Sequence, residues 1–317
     1  MKYQNLNQMP SLFDQNGYQP KNKSVLRLIN DFESNYHDIF KKVHKEWLPN
    51  IREFLREETG LRIHQKVVGT KIQKDTNVSF HFVTDRDETF LKLIDEHYPN
   101  LDFDEYTVFR RLNFQLKNSE KYFLQKNEKV ALPYKQMCLH LDLYFVKYDL
   151  KGLINTLFKN SGKSVDIWGT YSLKGSKIEI YYIPLILFCQ INSLPLEHAV
   201  LSTLVHEMAH AYHHIGKDKD NVTWPDMFIT DHRIVEGMAE YFTWLFVETF
   251  KASHPGMGKT YDRMFECLGE EYTIFKTWTP TYSKEAIKSA LLSTRKKGII
   301  GYSDFEKLLA DVKRVMH

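Results

Sequence analysis

Cysteine is scarce in this chain. Its 317 residues include three, Cys138, Cys189 and Cys267. They are odd in number and far apart, so the sequence implies neither a disulfide framework nor a cysteine zinc site. Excess charge is also missing: 43 basic and 40 acidic residues leave a formal +3. Nothing there calls for a nucleic-acid or membrane partner. No apolar run is long enough to span a bilayer; the longest, YYIPLILFC, reads as core. The opening stretch MKYQNLNQMPSLFDQNGYQP lacks an apolar segment of the secretory type, so the expected compartment is the cytoplasm. There is no internal repeat.

What is present is the material of a core. Hydrophobic residues make up 43% of the chain and aromatics 14%, which places it among globular proteins. The length suits one large domain or two ordinary ones. Residues 1–23 read as a flexible, Asn- and Gln-rich tail. Ser24 can cap a helix carrying Val25, Leu26, Ile29, Phe32 and Phe40, which Pro49 interrupts. A helical piece over Ile51–Glu58 ends at Gly60. LRIHQKVVGTKI and NVSFHFVT look like strands. Further on, LHLDLYFVKY alternates in part and reads as a strand, and DLKGLINTLFKNSG as a helix.

From about Lys163 the text changes. IWGTYSLKGSKIEIYYIPLI reads as a hairpin, with a turn at Lys174-Gly175-Ser176 and a second strand over Lys177–Tyr182. Helical stretches follow over Leu196–Ile215, Ile234–Thr249 and Lys284–Lys296. A last helix opens at Ser303-Asp304-Phe305-Glu306, a capping-box pattern. The expected organisation is α+β: a tail over 1–23, an α/β N-terminal region over 24–162, and a second domain over 163–317. That domain would hold the hairpin and a mainly helical C-terminal part.

The chemistry concentrates in His206-Glu207-Met208-Ala209-His210. Two histidines four apart lie on one helical face, one turn from each other. Their imidazoles can reach a single zinc ion, while Glu207 sits beside that face and can reach a water there. Such a motif also occurs by chance. Here Leu201, Leu204, Val205, Met208 and Ala209 make the helix apolar enough to be buried, and buried polar groups need something to organise them. A third ligand is expected from the segment DHRIVEGMAEYF. Asp231 can cap the helix start. Glu236 falls in the first turns beside Gly237, whose use would be close approach to the two-histidine helix. Glu240, one turn further, can accept a hydrogen bond from a ligand histidine.

HEMAHAY followed by VEGMAEYF resembles the gluzincins, zincin metallopeptidases whose third ligand is a Glu on a downstream helix. The likeness covers about residues 165–250, and 25 residues separate His210 from Glu236. It implies one zinc per chain on His206, His210 and Glu236, a peptide or protein substrate, and Glu207 as general base. It also implies a zincin-like catalytic domain with a small mixed sheet, an active-site helix and a mainly helical C-terminal part, in which the strand around Lys177–Tyr182 is an edge strand that takes substrate by strand addition; ordinary sheet core is an equal reading of that strand. The oxyanion donor is usually a Tyr or His beyond the third ligand; Tyr282 is the first candidate, with Tyr241 and His232 competing. Two other readings stand beside this one. TLVHEMAHAY also resembles the SprT-like proteases, whose third ligand is a His; His232 or His213 would then coordinate. A non-catalytic, metal-stabilised binding module is the other.

Overall fold

The computed structural model describes residues 21–24, 38–39, 42–63, 67–68, 71–72, 79–83, 92, 94–149, 168–172 and 176–316. The readings of residues 1–20, of the helix after Ser24, of the helix over 149–162 and of Lys174-Gly175 lie outside the described residues. The elements in chain order are α1 (Leu48–Thr59), β1 (Val67–Val68), β2 (Lys71–Ile72), β3 (Ser79–Val83), α2 (Phe103–Leu124), α3 (Glu128–Lys147), β4 (Gly169–Ser172), β5 (Lys177–Tyr181), α4 (Tyr182–Asn192), α5 (Leu196–Ile215), α6 (His232–Phe250), α7 (Met257–Phe265), α8 (Glu270–Trp278), α9 (Lys284–Lys297) and α10 (Tyr302–Met316). The fold is α+β and mainly helical.

Contacts divide the chain into two compact units, and the division does not fall at a single point along it. One unit takes residues 1–38, 83–167 and 181–194; the other takes 39–82, 168–180 and 195–317. The cut expected near 162 therefore separates pieces that fold together. In the second unit α1 packs on α5 and α6, and Arg62 pairs with Lys217 through backbone hydrogen bonds. In the first unit α2 packs along α3 and touches α4.

Several elements end where their sequence says they should. A π-helical turn over Val43–Trp47 runs straight into α1, so Pro49, in the first turn of α1, marks a change of helix type and not an interruption. Gly60 closes α1 at φ 71°, a left-handed conformation that glycine adopts without strain. Asp231 caps α6 by accepting from Arg233 N, and Ser283 caps α9 by accepting from Ala286 N. In α10, Phe305 and Leu309 are fully buried.

Two strand readings need correction. LHLDLYFVKY is helical, the C-terminal half of α3. Asn127 starts that helix by accepting from Lys129 N, and Tyr144 and Phe145 turn edge-on to Phe109 and Tyr106 of α2. Helix-on-helix packing overrides the local strand preference of Leu, Tyr, Phe and Val. The hairpin is real: β4 pairs antiparallel with β5 in the register Gly169↔Ile180 to Ser172↔Lys177. But β5 is not the edge. The sheet order is β3-β5-β4, so β5 is central and β4 lies at the rim. Among the described residues, no helix is long and apolar enough to cross a membrane.

Candidate metal centre

The helix α5 is buried on all sides from Ala199 to His213. A helix in that position must be apolar nearly all round, and Ala199, Val200, Leu201, Leu204, Val205, Met208 and Ala209 meet the need. Ser202, Thr203, His206, Glu207, His210 and His213 are the polar side chains among them, each less than a tenth exposed. The helix α6 runs beside α5 and buries Glu236 and Glu240 against it. His206, His210, Glu236 and Glu240 thus face one another with little exposure, which is costly unless they satisfy one another or hold a cation.

Their atoms converge. His206 Nε2 lies 3.2 Å from Glu236 Oε2. His210 Nε2 lies 3.2 Å from His206 Nε2 and 3.3 Å from Glu236 Oε2. Bonds of about 2.0–2.1 Å to a tetrahedral zinc ion would set their outer atoms about 3.3–3.4 Å apart. The three atoms already form one face of such a tetrahedron. The group His206, His210 and Glu236 is buried and could hold a metal ion. Burial alone would push the Glu236 carboxyl up. The His210 and His206 imidazoles outweigh it and hold that carboxyl well below the usual carboxylate range.

A second layer orients the first. Glu240 Oε2 lies 3.2 Å from His206 Nδ1, which leaves Nε2 aimed at Glu236. The Tyr261 hydroxyl is buried and faces Glu240; burial and that carboxylate push it upward. Beyond the helix end, the buried Arg295 guanidinium donates to the carbonyls of His213, Gly216 and Val222. It holds the last turn of α5 where the unpaired carbonyls need a positive partner. Burial lowers its pKa to about 10, so it stays charged.

Glu207 lies against the rim strand. A Cβ built on Gly169 of β4 would come within 2.8 Å of Thr203 Cγ2, 2.9 Å of Glu179 O and 3.2 Å of Glu207 Cγ. Only glycine lets the β4 backbone approach α5 this closely.

The other sequence candidates are placed as follows. His232 is half exposed, with Nε2 3.6 Å from Glu236 Oε1, the oxygen turned away from the two histidines. His213 is buried between Phe242 and Trp224, at ring distances of 5.4 and 6.3 Å. Neither of its ring nitrogens has a hydrogen-bond partner among the described residues. Burial and Arg295 push its pKa well below the ordinary value. Tyr241 packs on Phe275, and its hydroxyl feels Glu58 and Glu285. Tyr282 lies with its ring under Lys313 Nζ at 5.3 Å. A tyrosine that does lie against His206 is Tyr272 of α8, with ring centroids 5.8 Å apart. The stripe Tyr272, Phe275, Trp278 marks α8 as a buried helix; no spacing signal ties it to His206. Gly237 does allow a close approach, but to α8 and not to α5. A Cβ there would meet Ile274 Cγ2 at 2.7 Å, Phe275 Cδ2 at 2.8 Å and Glu271 O at 3.1 Å.

Compared with protein-family models, with curated proteins and with solved structures, the chain matches none.

Proposed function

We propose that this chain is a zinc-dependent peptidase of the gluzincin type, with a zincin-like arrangement in the unit that contains α5 and α6. The observation that carries the reading is the buried triangle of His206 Nε2, His210 Nε2 and Glu236 Oε2, with Glu207 beside it at the sheet rim. Two imidazoles and one carboxylate are a typical donor set for a catalytic zinc, which takes three protein ligands and keeps one position open. When bound, the ion supplies Lewis-acid chemistry: it makes water acidic near neutral pH and polarises a carbonyl.

The chain's own residues do the rest. Glu207 is not in the ligand triangle; its carboxylate takes a proton from the attacking water and later delivers it to the leaving amine. Glu240 fixes the His206 ring. The rim strand β4, rather than β5, is the strand on the site's side along which an extended peptide would lie. Gly169 brings that edge alongside Glu207. Tyr272 takes the place first given to Tyr282 as donor to the developing oxyanion, since its ring borders His206.

Glu207→Gln is the direct test. The amide keeps the shape and cannot accept the proton. The variant should fold, bind one zinc per chain and lose about 10²–10⁴ in peptide-cleavage rate. Zinc-loaded Glu207→Gln with wild-type turnover refutes the mechanism. A wild type that holds zinc and cleaves nothing in a broad peptide library favours a metal-stabilised binding module.

A further inference from the structure

The helix α3 carries two rows of side chains at heptad spacing, one residue apart. Ala131, Cys138 and Phe145 form the first row, which faces α2. Ala131 and Cys138 are buried, and Phe145 meets Tyr106 of α2 edge-on at 5.2 Å. Leu132, Leu139 and Val146 form the second row, and Leu143 joins it one turn past Leu139. These four face water, with exposures from 53% at Leu132 to 75% at Val146. Neighbouring residues on a helix are turned by about 100°, so α2, which fills the first row, leaves the second open. Single exposed apolar side chains need no explanation; a row in register does.

The open row has the shape of a helix seam. At about 100° per residue its four side chains fall within an arc of about 60°. At about 1.5 Å per residue it runs about 21 Å from Leu132 to Val146, or about four turns. A stripe that faces a core or lies in a membrane surface is broader, about 100° or more. A narrow stripe with a seven-residue repeat suits one partner helix. The helix α2 widens the seat on one side. Asn113 and Lys117 of α2 both reach Asp142 of α3, at 2.9 and 2.8 Å. Phe114 stands between them in the chain, near the level of Leu139 and Leu143, and is 63% exposed.

The borders of the seam carry one sign of charge. Lys129 and Lys147 flank it on one side and Lys135 on the other, all three exposed. None of them has an acidic residue three or four positions away, where a helical ion pair forms. Asp142, an acid beside the seam, is held by Lys117. A second copy of α3 on this seam would set lysine against lysine; a helix edged with carboxylates meets the lysines with opposite charge.

We infer that the seam of Leu132, Leu139, Leu143 and Val146, with Phe114 beside it, is the docking site for an amphipathic helix of another protein, about four turns long and edged with Asp or Glu. The apolar row supplies the binding surface and the lysine borders choose the partner. The inference concerns α2 and α3 alone and does not depend on the peptidase reading.

The experiment titrates the full chain, by fluorescence anisotropy, against a labelled helical peptide with leucines at heptad spacing and glutamates on both borders. The comparison peptide carries lysines in place of the glutamates. Wild type should bind the glutamate peptide at least about tenfold tighter, and the difference should shrink as salt is added. Leu139→Gln with Leu143→Gln should weaken that binding about tenfold or more. Lys129→Glu with Lys135→Glu and Lys147→Glu should invert the preference between the two peptides, a result that loss of structure cannot produce. Circular dichroism and thermal melting show that each variant is folded. Equal binding of the two peptides, no binding of either, or binding that survives the leucine changes overturns the proposal. A dimer in analytical ultracentrifugation that the leucine changes dissolve gives the seam to a second copy and overturns it too. So does cosedimentation with phosphatidylserine vesicles, lost in the leucine variant, by a protein that ignores both peptides.

Discussion

Gly237→Ala sets two known effects against each other, and the structure decides between them. Gly237 lies within α6, where alanine is better than glycine by about 1 kcal/mol. Propensity alone says the substitution stabilises. The new methyl, however, would sit 2.7 Å from Ile274 Cγ2, 2.8 Å from Phe275 Cδ2 and 3.1 Å from the Glu271 carbonyl. Overpacking of this kind costs about 1–3 kcal/mol. The upper half of that range applies, since Phe275 is fully buried and a backbone carbonyl cannot rotate aside. The net expectation is a loss of about 1–2 kcal/mol, or on the order of 3–6 °C in Tm for a unit of this size. Urea and thermal unfolding of wild type and variant, at matched zinc, measure it. Ile274→Ala in the same chain opens the closest contact and should recover part of the loss. A Gly237→Ala protein that melts above wild type refutes the close approach of α6 to α8. The consequence reaches the site, because α8 also carries Tyr272 against His206.

Two further expectations follow from particular side chains. Glu236→Ala should lose nearly all zinc by elemental analysis, while His232→Ala should keep it, because His232 is half exposed and faces the Glu236 oxygen that is not turned to His206 and His210; equal loss from His232→Ala supports a histidine third ligand. His213 has a folded pKa well below the ordinary value, so in acid the unfolded chain takes up the proton first. Its contribution is complete above about pH 6.5 and is lost as pH falls, at up to about 1.4 kcal/mol per pH unit. Urea unfolding of metal-free protein from pH 5.5 to 7.5 should show that slope for wild type relative to His213→Leu, and parallel curves would exclude it.

The helices that carry the site were legible because their signals are local. Leu196–Ile215 is bounded as expected. Asp231 and Gly60 bound their helices as expected. The spacing of His206 and His210, and the apolar face around Glu236, correspond to groups that the fold does bring together. What escaped the sequence depends on partners far along the chain. That β5 is central follows from β3, which lies nearly a hundred residues earlier; a strand's own residues look alike in either position. Gly237 announces a close approach but not its partner. Residues 139–148 carry strand-forming types whose fate is decided by α2. The joining of 39–82 to the C-terminal unit rests on α1 packing against α5 and α6, a contact across more than a hundred residues.

The triangle itself shows why a cation would suit this site. His206 Nε2 and His210 Nε2 face each other at 3.2 Å. Two neutral imidazoles can share that distance favourably only if one of these nitrogens carries its proton. Glu240 takes the Nδ1 side of His206, which favours a proton there and leaves Nε2 as an acceptor. His210 Nδ1 is buried with no hydrogen-bond partner among the described residues, so nothing there competes to fix its tautomer. The carboxylate of Glu236 then faces two nitrogens whose lone pairs point at the same space. A divalent cation would accept a lone pair from each of the three at once. Because the donors come from both α5 and α6, such a cation would join the two helices, and its binding energy would become stability of the unit that contains them.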